Sequence, residues 1–285
     1  MRSVSISSDG TLLAADAAGD HAVYLVQLAG GVPDSVHKFA PSALSESVVE
    51  SSTIHPSGDY VATVSDSRYL HLFRVARTAD GTPTAVTQVG DALDTGRDLS
   101  VGAFTADGNY FLIPDVGWGE SALSFIANGR GRLLSVAFDF ADGDHRVVDE
   151  ARVGRSPEGF ALSPDERYAV TVDMRRTYLP ARFPFNLFPR TRENSLTLLA
   201  FDAQTGELDV LDSQRFSGAL PEDATFDSTG RNIAVAVYHD RADVYTDGYI
   251  EFWSVDESAE GTATLRRHDG TVPVVRGVHD LHSLP

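Results

Sequence analysis

The sequence predicts an all-β protein, a β-propeller built from four-stranded antiparallel blades. Three observations lead there. First, one phrase recurs five times in the 285 residues: an apolar strand, a small polar turn, then a second apolar strand. The copies are SISSDGTLLAAD (5–16), TIHPSGDYVATVSD (53–66), AFTADGNYFLIPD (103–115), ALSPDERYAVTVD (161–173) and TFDSTGRNIAVAVY (225–238). Second, the equivalent turn positions Gly10, Gly58, Gly108, Glu166 and Gly230 are 48, 50, 58 and 64 residues apart, the period of a blade with variable loops. Third, the apolar residues alternate with period two and are rich in β-branched and aromatic types, which excludes helical repeats.

Within each unit the phrase supplies strands a and b. Strand c follows and is rich in aromatics: AVYLVQL (22–28), YLHLFRV (69–75), RLLSVAFDF (132–140), SLTLLAFDA (195–203) and YIEFWSV (249–255). The last four run into the polar turns RTADGT, ADGD, QTGE and ESAEGT, whose Asp-Gly and Thr-Gly steps suit tight hairpins that need positive φ. A shorter strand d closes the meander, as in AVTQVG and TATLRRH. The expected blades lie near 1–40, 48–90, 99–151, 157–213 and 222–267, in a single domain. Val278-His-Asp-Leu-His-Ser-Leu-Pro285 aligns with Pro157-Glu-Gly-Phe-Ala-Leu-Ser-Pro164, so 278–284 is expected to form a lone strand a. Residues 1–40 use all their strands in one blade and leave none to complete another. The expectation is therefore a natural protein with further N-terminal residues.

Composition narrows the function. At 42% hydrophobic and 22% charged residues the balance is globular, and no run of 18 uncharged apolar residues could span a membrane. Met1-Arg-Ser-Val-Ser-Ile moves straight into a strand pattern without a signal core, which read literally means a cytoplasmic protein. The absence of cysteine excludes disulfides, thiolate metal sites and cysteine nucleophiles. A net charge of −18 argues against nucleic acid and anionic lipid as partners. Lys38 is the only lysine, a bias that high genomic GC content or adaptation to salt would produce.

SPDERYAVTVD (163–173), preceded by RVGRSPEGFAL (152–162), resembles the YVTN-type repeat of lactonase-like seven-bladed propellers, the family that includes 6-phosphogluconolactonase-like enzymes. HPSGDYVATVSD and TADGNYFLIPD fit the same pattern, with Asp66, Asp115 and Asp173 where that repeat tends to place Asn. The resemblance implies a WD-like blade architecture, five units of an N-terminally incomplete seven-bladed ring, and a lactonase-type hydrolase. It carries no catalytic motif onto any position of this chain.

In a propeller meander the start of strand a and the b–c loop share a face beside the central channel. Aligned there are Arg2, Glu50, Ser100, Glu158, Glu222 and His279, with Asp98, Asp223 and Asp280 close by. These residues suit a carboxylate pair for acid–base work, or oxygen ligands for a divalent cation such as calcium. The expected catalytic residues are Glu158, Glu222 and His279, and the expected metal ligands Glu50, Glu158 and Glu222. The alternative is that all of them cap strand ends. The b–c insertion of blade four, MRRTYLPARFPFNLFPRTREN (174–194), brings arginines and aromatics together. Arg175, Arg176, Tyr178 and Arg182 are the expected substrate contacts, because guanidinium forks pair with carboxylate or phosphate. His55, His71 and Ser163 are expected to be structural, and Asn128-Gly-Arg-Gly131 is no phosphate loop, since no helix follows.

Two functions follow. One is a lactonase-like hydrolase of a small anionic lactone or sugar-acid derivative at the channel mouth. The other is a non-catalytic propeller scaffold whose loop-rich face binds a protein or small ligand; in either case a monomer is expected.

Overall fold

The computed structural model describes residues 3–17, 19–96, 98–118, 129–178, 193–240, 247–259, 261–275 and 277–283. They form 21 strands and one 3-10 turn (Ser42–Leu44), with no α-helix among the described residues. Blade one is β1 (Val4–Ile6), β2 (Leu12–Ala15), β3 (Val23–Ala29) and β4 (Val32–Phe39). Blade two is β5 (Val49–Ile54), β6 (Tyr60–Ser65), β7 (Tyr69–Arg77) and β8 (Pro83–Gln88), with β9 (Leu93–Asp94) added to the far end of β7. Blade three is β10 (Ala103–Phe104), β11 (Tyr110–Asp115), β12 (Arg132–Ala137) and β13 (Arg146–Arg152). Blade four is β14 (Pro157–Leu162), β15 (Tyr168–Asp173), β16 (Glu193–Phe201) and β17 (Leu208–Ser217). Blade five is β18 (Ala219–Phe226), β19 (Asn232–His239), β20 (Gly248–Glu257) and β21 (Ala263–Val274). In every sheet the four strands lie side by side in chain order, so the five-fold phrase is a five-fold antiparallel meander and the fold is a β-propeller.

The a–b turns explain why the phrase repeats. Asp9 accepts from the Ser7 hydroxyl (2.6 Å) and the Thr11 N–H (3.0 Å), while the Gly10 N–H closes back on the Ser7 carbonyl. Asp107 takes the same bonds from Thr105 and Asn109, and Asp165 from Ser163 and Arg167. The residue after each aspartate is left-handed, with φ of 67° at Gly10 and 77° at Gly108, and blade four puts Glu166 there at φ 55°. Ser163 is thus a turn residue, as expected. His55 bonds Ser57 and the Gly108 carbonyl, and His71 bonds Ser65, so both are structural.

The chain folds as two compact units, residues 1–113 with 135–148, and residues 114–134 with 149–285. In the first, alternate residues of β2 and β3 (Leu12, Ala14, Val23, Leu25) pack on Val49, Ile54, Val61, Phe73 and Val75 of blade two. The other face of blade one carries the cross-strand row Ile6–Leu13–Val26–Val36 beside Val4, with Val4 51% and Ile6 56% exposed. In the second unit Val170, Val172, Leu196 and Leu198 of blade four pack on Phe226, Val235, Trp253 and Leu265 of blade five. Outer strands add latches: Asp149 of β13 accepts the Leu208 N–H of β17, and Asp212 of β17 accepts the Leu265 N–H of β21, both at 2.8 Å.

One expected element does not form. Residues 277–283 join no ladder. Instead the Leu281 N–H donates to the Asp223 carboxylate at 2.9 Å. A side chain, and not a neighbouring strand, receives this N–H. Residues 284 and 285 lie outside the described residues.

Candidate functional site

The three aligned glutamates share one structural origin. In blade two Val49 faces Ser65 and Ser51 faces Val64, leaving Glu50 as the extra residue of a β-bulge. In blade four Pro157 faces Asp173 and Gly159 faces Val172, leaving Glu158. In blade five Pro221 faces Val237 and Asp223 faces Ala236, leaving Glu222. A bulge re-aims one side chain and is frequent beside active sites. In blades four and five it follows a proline, which cannot donate to the ladder, and before that a left-handed residue, Ser156 (φ 53°) or Leu220 (φ 54°).

Glu50 belongs to the first unit, where its carboxylate accepts the Ser67 hydroxyl at 2.7 Å. Glu158 and Glu222 belong to the second, and their bulges abut. A β-carbon at Gly159 would stand 2.7 Å from the Asp223 Cα and closer still to the Glu222 carbonyl oxygen. Only glycine lets β14 come so near β18.

The electrostatics of this contact favour bound protons. Burial, then the charges of Glu158 and Asp223, push the Glu222 carboxyl up to about 8. Its side chain is 12% exposed, and the His279 Nδ1 lies 3.5 Å from Oε2. The His279 ring sits edge-on to Tyr238 with centroids 5.0 Å apart. Burial also raises Asp223, to about 7, against the N–H bonds from Leu281 and Ala224, and the Asp280 charge raises it further. Two carboxyls that hold protons near neutrality beside an imidazole can give and accept protons. Among the described residues no group of three or more His, Asp or Glu could hold a metal ion, so the Glu50, Glu158 and Glu222 ligand set finds no support there.

The expected substrate contacts begin where β15 ends. Arg175 and Arg176 are both left-handed, with φ of 47° and 69°. The Met174 N–H bonds the Ser156 carbonyl (3.0 Å) and the Arg175 N–H the Arg155 carbonyl (2.9 Å), so the start of strand a and the b–c loop meet as expected. Tyr178 packs edge-on against Trp118, whose indole N–H donates to the Ser156 hydroxyl at 3.0 Å. The Leu220 N–H donates to the Thr177 hydroxyl (3.0 Å), tying this turn to the chain two residues before Glu222. Arg182 lies outside the described residues, as do Arg2 and residues 241–246 of the blade-five loop.

The Asn-like positions of the repeat are structural. Asp173 is fully buried and accepts the Ser195 and Thr197 hydroxyls, both at 2.8 Å, while burial pushes its carboxyl up to about 7. Asp115 pairs with Arg132 at 2.7 Å. The sequence reading missed Ser156 and Leu220 as site-forming residues. A usable signal existed in Ser156-Pro-Glu158 and Leu220-Pro-Glu222, which stand in the same register of successive blades.

No family model matches the chain, and no curated protein matches it. Solved structures do. A candidate 6-phosphogluconolactonase from Bacteroides fragilis superposes with a TM-score of 0.63 at 17% identity, over 94% of this chain and 69% of that one. The periplasmic gluconolactonase PpgL of Pseudomonas aeruginosa gives 0.60 at 19%, over 95% and 70%. The β-propeller domain of Cps50 (Swd1) from Myceliophteria thermophila gives 0.55 at 12%, over 94% and 74%. These likenesses show a β-propeller fold.

Proposed function

We propose that the protein is a lactonase-like hydrolase of a small anionic lactone or sugar-acid derivative, with Glu158, Glu222 and His279 as its reacting centre. The observation that carries this reading is the pair of abutting bulge glutamates, one of which keeps its proton near neutrality. Ionised Glu158 takes a proton from the attacking water as its oxygen adds to the lactone carbonyl. Protonated Glu222 delivers its proton to the ring oxygen as the acyl C–O bond breaks, giving a hydroxy acid. Between turnovers His279, 3.5 Å from Glu222, passes Glu222 a proton and takes one from solvent, while Glu158 releases its proton to solvent. Arg175 and Arg176 hold the substrate's acid group. The lactonase-type fold of the neighbours supports the assignment.

The test is a panel of aldono- and uronolactones with the wild type, Glu158→Gln and Glu222→Gln, followed by pH-stat. Each variant should lose at least about a hundredfold in kcat, the scale of general acid–base catalysis, and remain folded. A wild type that opens no lactone, or variants at full rate, would sink the reading. The exposed apolar face of blade one favours a second reading, a non-catalytic scaffold that binds a partner.

A further inference from the structure

Residues 277–283 carry His279 but lack the usual means of staying in place. They join no ladder; Gly277, Val278 and Leu281 are half-buried, and His279, Asp280, His282 and Ser283 are exposed. Fixing a backbone costs conformational entropy at every residue, and here neither a ladder nor a core offsets it. Side chains of blade five do. Asp223 accepts the Leu281 N–H at 2.9 Å. The Tyr238 ring lies edge-on to the His279 imidazole with centroids 5.0 Å apart, and a β-carbon at Gly277 would stand 3.7 Å from the same ring.

The anchor sits where it can place the imidazole. Leu281 is two residues beyond His279, so their Cα atoms lie within about 7 Å, and those of the consecutive Glu222 and Asp223 are about 3.8 Å apart. In a regular strand consecutive side chains point to opposite faces. Glu222 is the extra residue of the bulge, and both carboxyls address one segment: Asp223 at Leu281, and Glu222 at the His279 Nδ1, 3.5 Å away. The residue after the bulge glutamate differs between blades. In blade two it is Ser51, whose hydroxyl donates to the Ser100 carbonyl (3.4 Å) ahead of β10. In blade four it is Gly159, which has no side chain to reach with. Blade five puts a carboxylate there, and like Ser51 it meets the start of the segment that follows.

We propose that Asp223 and Tyr238 are positioning residues of the candidate centre: Asp223 anchors Leu281, Tyr238 backs the imidazole, and together they keep His279 at Glu222. Neither has to touch the substrate. Without them His279 would ride on a stretch of chain free to swing away, and the approach of its Nδ1 to Glu222 would be one arrangement among many. The clamp deepens the hydrolase reading and rests on it for the work that His279 does, whereas the hold on the segment stands apart from turnover.

Amide hydrogen exchange and NMR of the histidine rings read the clamp without substrate. In the wild type the Leu281 amide should exchange at least about tenfold more slowly than in an unfolded chain, the scale of one hydrogen bond. The His279 ring signal, assigned by its loss in His279→Gln, should be displaced by the Tyr238 ring. Asp223→Ala should release both, with exchange near the unfolded rate and a ring signal near that of free histidine. Asp223→Asn keeps an oxygen acceptor in the same place and should restore both. In lactone opening Asp223→Ala should lower kcat about tenfold with KM unchanged, and Asp223→Asn should recover it. Tyr238→Leu should also speed Leu281 exchange, a readout that survives if Asp223→Ala folds poorly. Free exchange of Leu281 in the wild type, wild-type exchange and ring signal in Asp223→Ala, or an Asp223→Asn protein as loose as Asp223→Ala would overturn the clamp. A freed His279 with unchanged kcat would overturn its positioning role. Variants that behave as expected in a protein that opens no lactone keep the clamp and lose the hydrolase.

Discussion

Glu222 shows how a single residue sets the pH response of this molecule. Its folded carboxyl titrates near 8 instead of near 4.5, so the native state holds a proton that the unfolded chain releases. The stability tied to that proton is complete below about pH 4.5 and is lost as pH rises through 8. Asp223 acts in the same direction up to about 7. Glu222→Gln imitates the protonated form, so its melting temperature should exceed the wild type's at pH 8.5 and match it near pH 4.5. Thermal melts across that range check this, and a variant that is equally or less stable at pH 8.5 would contradict the buried proton. The residue types at the centre were legible from alignment of the repeat alone. Their protonation was not, because it follows from burial and from the neighbouring carboxyls Glu158 and Asp223, which no spacing rule supplies.

Among the elements, the bulge decides what the strand start can do. Glu158 and Glu222 point where they do because one residue has slipped out of register after proline, and Gly159 lets the two strand starts touch. Gly159→Ala places a β-carbon against the backbone of Glu222 and Asp223. That contact cannot be relieved by rotating a side chain, so the substitution should cost about 1–3 kcal/mol. It should also lower the pKa of Glu222 by opening the contact to water. Chemical denaturation and the alkaline limb of the stability profile test the two effects separately. Strands a to d of each blade were readable from period two and Asp-Gly turns. The bulges were not, because they change neither composition nor periodicity and show only as Pro-Glu in matching places. The 277–283 segment was placed by its pattern alone. Its pattern copies a strand, but the Asp223 carboxylate, and not a β-ladder, receives its Leu281 N–H.

For the whole molecule, the charge of −18 is the governing quantity. Like charges spread over a compact chain oppose folding, and salt screens them over a Debye length of about 8–10 Å near physiological ionic strength. The melting temperature at neutral pH should therefore rise between 0.02 and about 0.5 M sodium chloride. Scanning calorimetry measures it, and a flat or falling curve would show that local pairs such as Arg132–Asp115 already balance the surface. The same order of strands along chain and sheet has a consequence during synthesis. Apart from β9, which returns to β7, every ladder partner among the described residues is the next strand, so no sheet waits for a distant segment. Ribosomes add roughly 5–20 residues per second, and a β-hairpin closes in about 1–10 μs. Each blade of roughly 50 residues can thus assemble within the several seconds it takes to emerge. The carboxyl cluster cannot, because Asp223 and Glu222 wait for His279, Asp280 and Leu281. A nascent chain with five finished blades has its strands in place and its candidate centre still open.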